Sequence, residues 1–234
     1  MTSTPERLER FTRLPALNGH LDILPAGQRA LWDRLGAIPH DFVLYGDTAL
    51  ALHLGHRESL DFDFFSAADF EPSELLGQLR GLGRPEEIRR MGASNLALVI
   101  DGVQLSFFGG LELQAVSEPS MAPDNGLVIA SVFDLGGTKL KAILDRSEWK
   151  DYADIGALLS HGHVLADLIG YATTIFERQF PFPTAVLLQS LVWFEDGTAP
   201  DVPKALRRQL EAAVRNLRLA DIAVVDAYRT TIAP

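Results

Sequence analysis

The sequence predicts an α+β first half followed by an all-helical second half, and three observations carry that reading. An apolar run, a strictly alternating LDFDFF segment and two β-rich runs around an Asp-Gly dipeptide all fall before residue 110. From Phe133 onward the apolar period turns helical, with Leu140, Ile143 and Leu144 on one face and Tyr152, Ile155, Leu158 and Leu159 on another. Prolines at 181, 183, 200 and 203 then separate further helices. Two regions follow, 1–132 and 133–234.

Each element has its own reason. Residues 1–24 show weak periodicity, and Pro25 to Leu35 reads as a short helix carrying Leu31, Trp32 and Leu35, broken by Ile38-Pro39. Phe42 to Tyr45 is a compact apolar run ending at Gly46, which fits a buried strand. Thr48 to Leu54 is an Ala- and Leu-rich helix stopped by Gly55. Leu60 to Phe65 alternates as a strand does, and Pro72 to Leu82 places Leu75, Leu76 and Leu79 at helical spacing. Leu96 to Ile100 and Val103 to Phe108 flank Asp101-Gly102, the favoured type I′ hairpin turn because both central residues need positive φ. Helices are expected at about 164–178, 183–194 and 203–219.

Composition narrows the function classes. An apolar share of 47% supplies a core, and the absence of cysteine removes disulfides, thiolate zinc sites, Fe–S clusters and cysteine nucleophiles. No run approaches a membrane span, and the first thirty residues, with Pro5, Glu6 and Glu9, do not read as a signal peptide, so a cytoplasmic protein with no membrane partner is expected. Thirty-one acids against twenty-one bases argue against non-specific binding along a phosphate backbone, without excluding one basic face.

Asp61 and Asp63, at i and i+2 on a strand, point to one face while Phe62 and Phe64 point to the other. Two adjacent carboxylates repel, and oxygen ligands of this kind suit Mg²⁺. Alone, an Asp-x-Asp pair on a strand is more often a solvated face. Here Gly46 lies at a strand-to-helix junction just upstream, where backbone N–H groups offer an anion site. His56-Arg57 could neutralise the acid pair; otherwise Arg57 is an ordinary surface residue.

The segment FVLYGDTALALHLGHRESLDFDFFS (42–66) resembles the opening motif of the AbiEii/AbiGii nucleotidyltransferase toxin family, of the DNA polymerase β-like nucleotidyltransferase superfamily. GVQLSFFGG (102–110) is similar to that family's second strand pair, KLKAILDRSEWKDYAD (139–154) to its Lys…Arg…Lys-Asp…Asp segment, and LVWFEDGTAPDVP (191–203) to its helix-ending element. The resemblance implies a polymerase β-like lobe with a short mixed sheet, then a C-terminal helical bundle. It implies Asp61 and Asp63 as metal carboxylates, and Gly46, Asp47 and Thr48 as the triphosphate turn. It further implies Lys139 as a nucleotide-phosphate lysine and Asp151 or Asp154 as the later acid. The chemistry would be Mg²⁺-dependent transfer of NMP from an NTP to RNA (tRNA) or protein, by a toxin restrained by an antitoxin protein. Arg146, seven residues beyond Lys139, is expected on the same side of that helix as a further nucleotide-binding residue, or as a surface partner of Asp154 or Glu148.

Two positions depart from the pattern. Asp47 stands where the family has Gly or Ser; a carboxylate there is a good N-cap but repels a triphosphate. The strand expected to bring a third carboxylate carries Gln104 and Ser106 instead, and Asp101 is explained by its turn. A catalytically degenerate nucleotide- or partner-binding member is therefore the alternative.

Other motifs carry less. Asp134 to Lys139 (DLGGTK) resembles the phosphate turn of sugar kinases, but too little chain follows it, and its glycines are expected to start a helix at Thr138. A dehalogenase-type phosphatase fails on Glu58-Ser59 and Phe65, and a nucleotide-sugar glycosyltransferase has only the Asp-x-Asp pair in its favour. His53, His56, His161 and His163 lack acids at metal-ligand spacing and read as loop or helix-surface residues. Lys204, Arg207, Arg208, Arg215 and Arg218 face away from the stripe Leu206, Leu210, Ala213, Val214, Leu217; they are a solvated face or an RNA-contacting one.

Overall fold

The computed structural model describes residues 14–229, so the reading of Pro5, Glu6 and Glu9 lies outside the described residues. The chain divides into two compact units. One comprises the described residues up to Leu113 with Glu118–Ser131, and the other Gln114–Ser117 with Val132–Arg229. The fold is α+β, as expected.

The first unit is a mixed seven-stranded sheet with short helices. Its strands are β1 (Val43–Tyr45), β2 (Asp61–Phe65), β3 (Glu87–Gly92), β4 (Asn95–Ile100), β5 (Val103–Phe108), β6 (Ser120–Met121) and β7 (Val128–Ile129), in the spatial order β3-β4-β5-β2-β1-β7-β6. β2 runs parallel to β5 and β1 parallel to β7; the other neighbours are antiparallel. Helices α1 (Ala26–Trp32), α2 (Gly46–Leu54) and α3 (Pro72–Gln78) complete the unit. The β4–β5 hairpin turns as expected, with φ of 51° at Asp101 and 73° at Gly102.

The alternation of β2 decides which face is core. Phe62 and Phe64 are fully buried, Phe64 stacking on Phe107 at 5.0 Å and Phe62 lying 6.5 Å from Trp32 of α1. Leu75, Leu79 and Leu82 are buried too, from α3 and the 3-10 turn that follows it. Burial of each such ring or branched chain is worth about 1.5–3 kcal/mol. Asp61 and Asp63 take the other face and are only partly covered.

Several boundaries differ from the expectation. The helix expected over 25–35 ends at Trp32 and resumes as a 3-10 turn over Leu35–Ala37; that over 72–82 ends at Gln78 and tightens into Leu79–Leu82. The strand β3 was not anticipated because all six of its residues are exposed and carry no alternating pattern. β6 and β7, two residues each, are too short to show a period. His53 is not a surface residue: its Nε2 lies 2.8 Å from the Ala130 carbonyl, and burial pushes its imidazole below the usual histidine range, against a smaller upward pull from that hydrogen bond. The unfolded chain therefore binds the proton more readily, so this contribution to stability is complete above the free-histidine pKa of about 6.5 and is lost as pH falls. Urea unfolding at pH 7 and pH 5 should show lower stability at pH 5, with a smaller difference in His53→Gln; an unchanged difference would remove His53 from the account.

The second unit is helical: α4 (Val132–Asp145), α5 (Trp149–Ser160), α6 (Leu165–Phe176), α7 (Thr184–Ser190) and α8 (Lys204–Asn216). α4 packs on α5, α6 and α7, and α8 packs on α5. α4 begins at Val132, not Thr138, so Gly136 and Gly137 lie inside it. They are there for close approach: a Cβ at Gly137 would sit 2.9 Å from the Ala172 amide nitrogen, and one at Gly136 2.7 Å from Leu168 Cδ2. Among the described residues no helix is long and apolar enough to cross a membrane.

Candidate functional site

The predicted site residues come from both units. In the sheet unit, β1 passes directly into α2 through Gly46, whose φ is +73°. Tyr45 occupies the N-cap and makes no side-chain capping bond. Asp47 is thus not the N-cap expected; it lies inside the first helical turn. The first N–H groups of α2, at Gly46, Asp47 and Thr48, have no partner further back in the helix.

The acid-bearing strand is pinned beside that turn. Thr48 Oγ1 and Gln28 Nε2 both donate to the Asp61 carbonyl, the latter at 3.3 Å. Ser59 Oγ donates to Asp61 Oδ1 at 3.3 Å. Asp63 pairs in register with Tyr45, and a Cβ built on Gly46 would lie 2.8 Å from Asp63 Oδ2. Gly46 therefore does two things: it adopts a left-handed backbone, and it makes room for the Asp63 carboxylate. Gly46→Ala should cost about 1–2 kcal/mol from backbone strain alone, read as reduced unfolding free energy in urea. Unchanged stability would mean that residue 46 does not hold this conformation.

Arg57 reaches back to the turn. Its Nη2 lies 3.2 Å from Asp47 Oδ2, with both side chains largely covered. The charge that would repel a phosphate at the turn is therefore compensated by a guanidinium. Gln104 and Ser106 stand directly beside Asp61 and Asp63 in the parallel β2–β5 register, so the positions expected to bring a third carboxylate hold an amide and a hydroxyl. Gln28, Ser59 and the hydroxyl of Thr48 were missed by sequence reading. Each acts on Asp61 from another element or across a loop, and no local spacing signals that.

In the helical unit, Lys139 of α4 is buried, with Nζ 3.0 Å from Asp151 Oδ1 and 2.6 Å from Asp154 Oδ2; both acids are fully buried on α5. Arg146 is one residue past the end of α4 rather than on it, and it grips Asp151 with Nε at 2.9 Å and Nη2 at 3.2 Å. Its contact with Glu148, at 3.8 Å, is looser. Two acids and two bases thus form one compact network, in which the spacing of three residues puts Asp151 and Asp154 on one face of α5. The ammonium expected to serve nucleotide phosphates is held by two carboxylates of its own unit.

The remaining candidates disperse. Among the described residues no histidine joins a cluster of metal-ligating groups. On α8, Arg207 lies 4.9 Å from the Phe194 ring centroid and donates to the Val202 and Pro200 carbonyls, while Arg218, beyond the helix end, pairs with Asp221 at 2.7 Å. Lys204, Arg208 and Arg215 remain exposed, and of the apolar stripe only Leu210 is fully buried.

No protein-family model matches the sequence. The chain is 33% identical over 163 residues to uncharacterized protein aq_aa25 of Aquifex aeolicus, spanning 68% of this chain and 77% of that protein. The fold is similar to the crystal structure of a "putative nucleotidyltransferase" from H. pylori, with a TM-score of 0.50 and 20% identity over 80% of this chain and 90% of that one.

Proposed function

We propose that this chain, which belongs to the family of the Aquifex aeolicus protein aq_aa25, is a nucleotidyltransferase that moves NMP from an NTP to an RNA or protein acceptor. The observation that carries the proposal is the abutment of the Gly46 turn, at the start of α2, on the Asp63 carboxylate of β2. Anion-binding N–H groups and a pair of hard oxygen ligands are thereby neighbours within one unit.

The donor set fits Mg²⁺. Asp61 and Asp63 offer carboxylate oxygens on one strand face, and the missing Cβ of Gly46 leaves space beside Asp63 Oδ2. Bound there, the cation would supply Lewis-acid stabilisation of charge on the transferred phosphoryl group and the departing pyrophosphate. The other roles belong to the chain. Gly46, Asp47 and Thr48 direct backbone N–H groups at the triphosphate, and Arg57 cancels the Asp47 charge that would repel it. Thr48 and Gln28 fix the Asp61 carbonyl and so the carboxylate that follows from it. In the helical unit, Asp151 and Asp154 hold Lys139 and Arg146 in one ion network.

The four ordered motifs support the finer assignment to the AbiEii/AbiGii toxins, with tRNA as the acceptor to try first and a separate antitoxin protein as the restraint. One observation favours a second reading, a degenerate member that binds nucleotide without transfer: Gln104 and Ser106 occupy the register positions beside the acid pair. Incubation with each labelled NTP, Mg²⁺ and total tRNA or cell protein separates the two. Label in a macromolecule supports the transferase; Mg²⁺-dependent NTP binding with no label under any condition supports the degenerate reading.

A further inference from the structure

Building on the transferase reading, we infer that Arg89 and Arg90 form a phosphate subsite for a nucleic-acid acceptor, on the sheet face that carries Asp61 and Asp63. The register puts them there. Asp63 pairs with Ser106, Ser106 with Ala97 and Ala97 with Arg90; in the neighbouring row Asp61 pairs with Gln104, Gln104 with Val99 and Val99 with Glu87. Residues directly opposite across a sheet share a face. Arg90 thus lies on the face of the acid pair, three strand spacings away, or about 14 Å at 4.7–4.9 Å each.

On a regular strand Arg89 would point to the opposite face. The β3–β4 ladder skips it: Ile88 pairs with Leu98 and Arg90 with Ala97, leaving Arg89 as the extra residue of a bulge. A bulge re-aims a side chain, and here the result is visible in contacts. Arg89 Nη1 donates to Gln104 Oε1, and Nε lies 3.0 Å from Glu87 Oε2. Two consecutive arginines therefore stand on one face, with Arg89 laid along the sheet by Gln104 and Glu87. The Arg90 side chain makes no ion pair or hydrogen bond among the described residues. Every residue of β3 is exposed.

The charge pattern selects the occupant. In a chain of net charge −10, one sheet face runs from the Asp61–Asp63 acid pair to two guanidinium groups. A strand crossing that face with its reacting end at Asp61 and Asp63 would place a backbone phosphate over β3, where the planar fork of arginine suits phosphate oxygens. A competing explanation exists: charged residues and bulges also guard edge strands against self-association. It predicts a different phenotype, so the two can be told apart.

The test is fluorescence anisotropy with a short single-stranded RNA, without NTP, between about 50 and 200 mM salt. The parent chain should bind; the Arg89→Ala/Arg90→Ala pair should bind roughly tenfold more weakly, with the log–log salt slope reduced by about 1.4 for two lost phosphate contacts. Arg89→Lys/Arg90→Lys should keep most of the slope. Absence of RNA binding by the parent, or affinity and slope indifferent to the alanine pair, overturns the subsite. Self-association of the alanine pair with unchanged RNA affinity also overturns it, in favour of edge protection. Label transfer measured in parallel keeps the readings separate. Transfer that the alanine pair leaves intact at parent RNA affinity spares the transferase and removes the subsite. Arginine-dependent RNA binding in a chain that transfers nothing sustains the subsite and sinks the transferase.

Discussion

On the proposed transferase reading, Asp61→Asn and Asp63→Asn are each expected to lower NMP transfer at least about 100-fold, the rate equivalent of removing several kcal/mol of cation-borne charge stabilisation. The amide is isosteric with the carboxylate but carries no charge, so the substitution removes an anionic ligand without reshaping the strand. Both side chains lie on the half-covered face of β2, opposite Phe62 and Phe64, and the core keeps its aromatic stack. The Asp61 carbonyl stays bonded to Thr48 and Gln28 because neither contact uses the carboxylate. Unfolding free energies should therefore stay within about 0.5 kcal/mol of the parent, as for substitutions away from core and caps. Label incorporation, cation binding by calorimetry and urea unfolding on the same preparations check all three parts. Transfer within tenfold of the parent in both variants would take Asp61 and Asp63 out of the reaction.

The strand face bearing those acids was legible because period-two alternation is a local signal: LDFDFF names its own inside and outside. The hairpin at Asp101-Gly102 was legible for a similar reason, since its φ requirement is written in two residues. What was hidden depended on partners far along the chain. Gly136-Gly137 reads as a helix start, yet the pair sits inside α4, because only the approach of α6 at Leu168 and Ala172 explains two glycines in a helix interior. Arg57 sits four residues before Asp61, and nothing in that spacing shows that its side chain reaches back to Asp47 at the turn. The bulge at Arg89 has no signature in EIRRMG, because its extra residue is defined only against β4. In the site, the acids and the turn could be read directly; Gln28, Ser59 and the Thr48 hydroxyl, which hold Asp61 in place, could not.

Lys139→Met destabilises the chain by about 3–5 kcal/mol, the usual consequence of removing one partner from a buried ion network. The reason lies in burial. Lys139 and Arg146 are ion-paired with Asp151 and Asp154, and both acids are fully buried. Methionine keeps the apolar stem of the lysine and removes only the ammonium. Asp151 then retains the Arg146 fork, while Asp154 loses an ammonium 2.6 Å away in a low-dielectric interior. That asymmetry supplies a second measurement. Asp154→Asn in the Lys139→Met background removes one of the two buried carboxylates that the ammonium paired with and should recover at least about 1 kcal/mol, a coupling typical of residues in one network. Asp154→Asn alone leaves Lys139 paired with Asp151 and should cost less than Lys139→Met. Urea unfolding of the three variants completes the cycle. Since folded domains have only about 5–15 kcal/mol to lose, a low yield of folded Lys139→Met is part of the expectation, and the double variant is the one that keeps it testable. A cost below about 1 kcal/mol with no recovery in the double variant would mean the network is solvated in the folded state, as exposed pairs of that strength are. Lys139 would then be free to reach phosphate, and its structural role would fall.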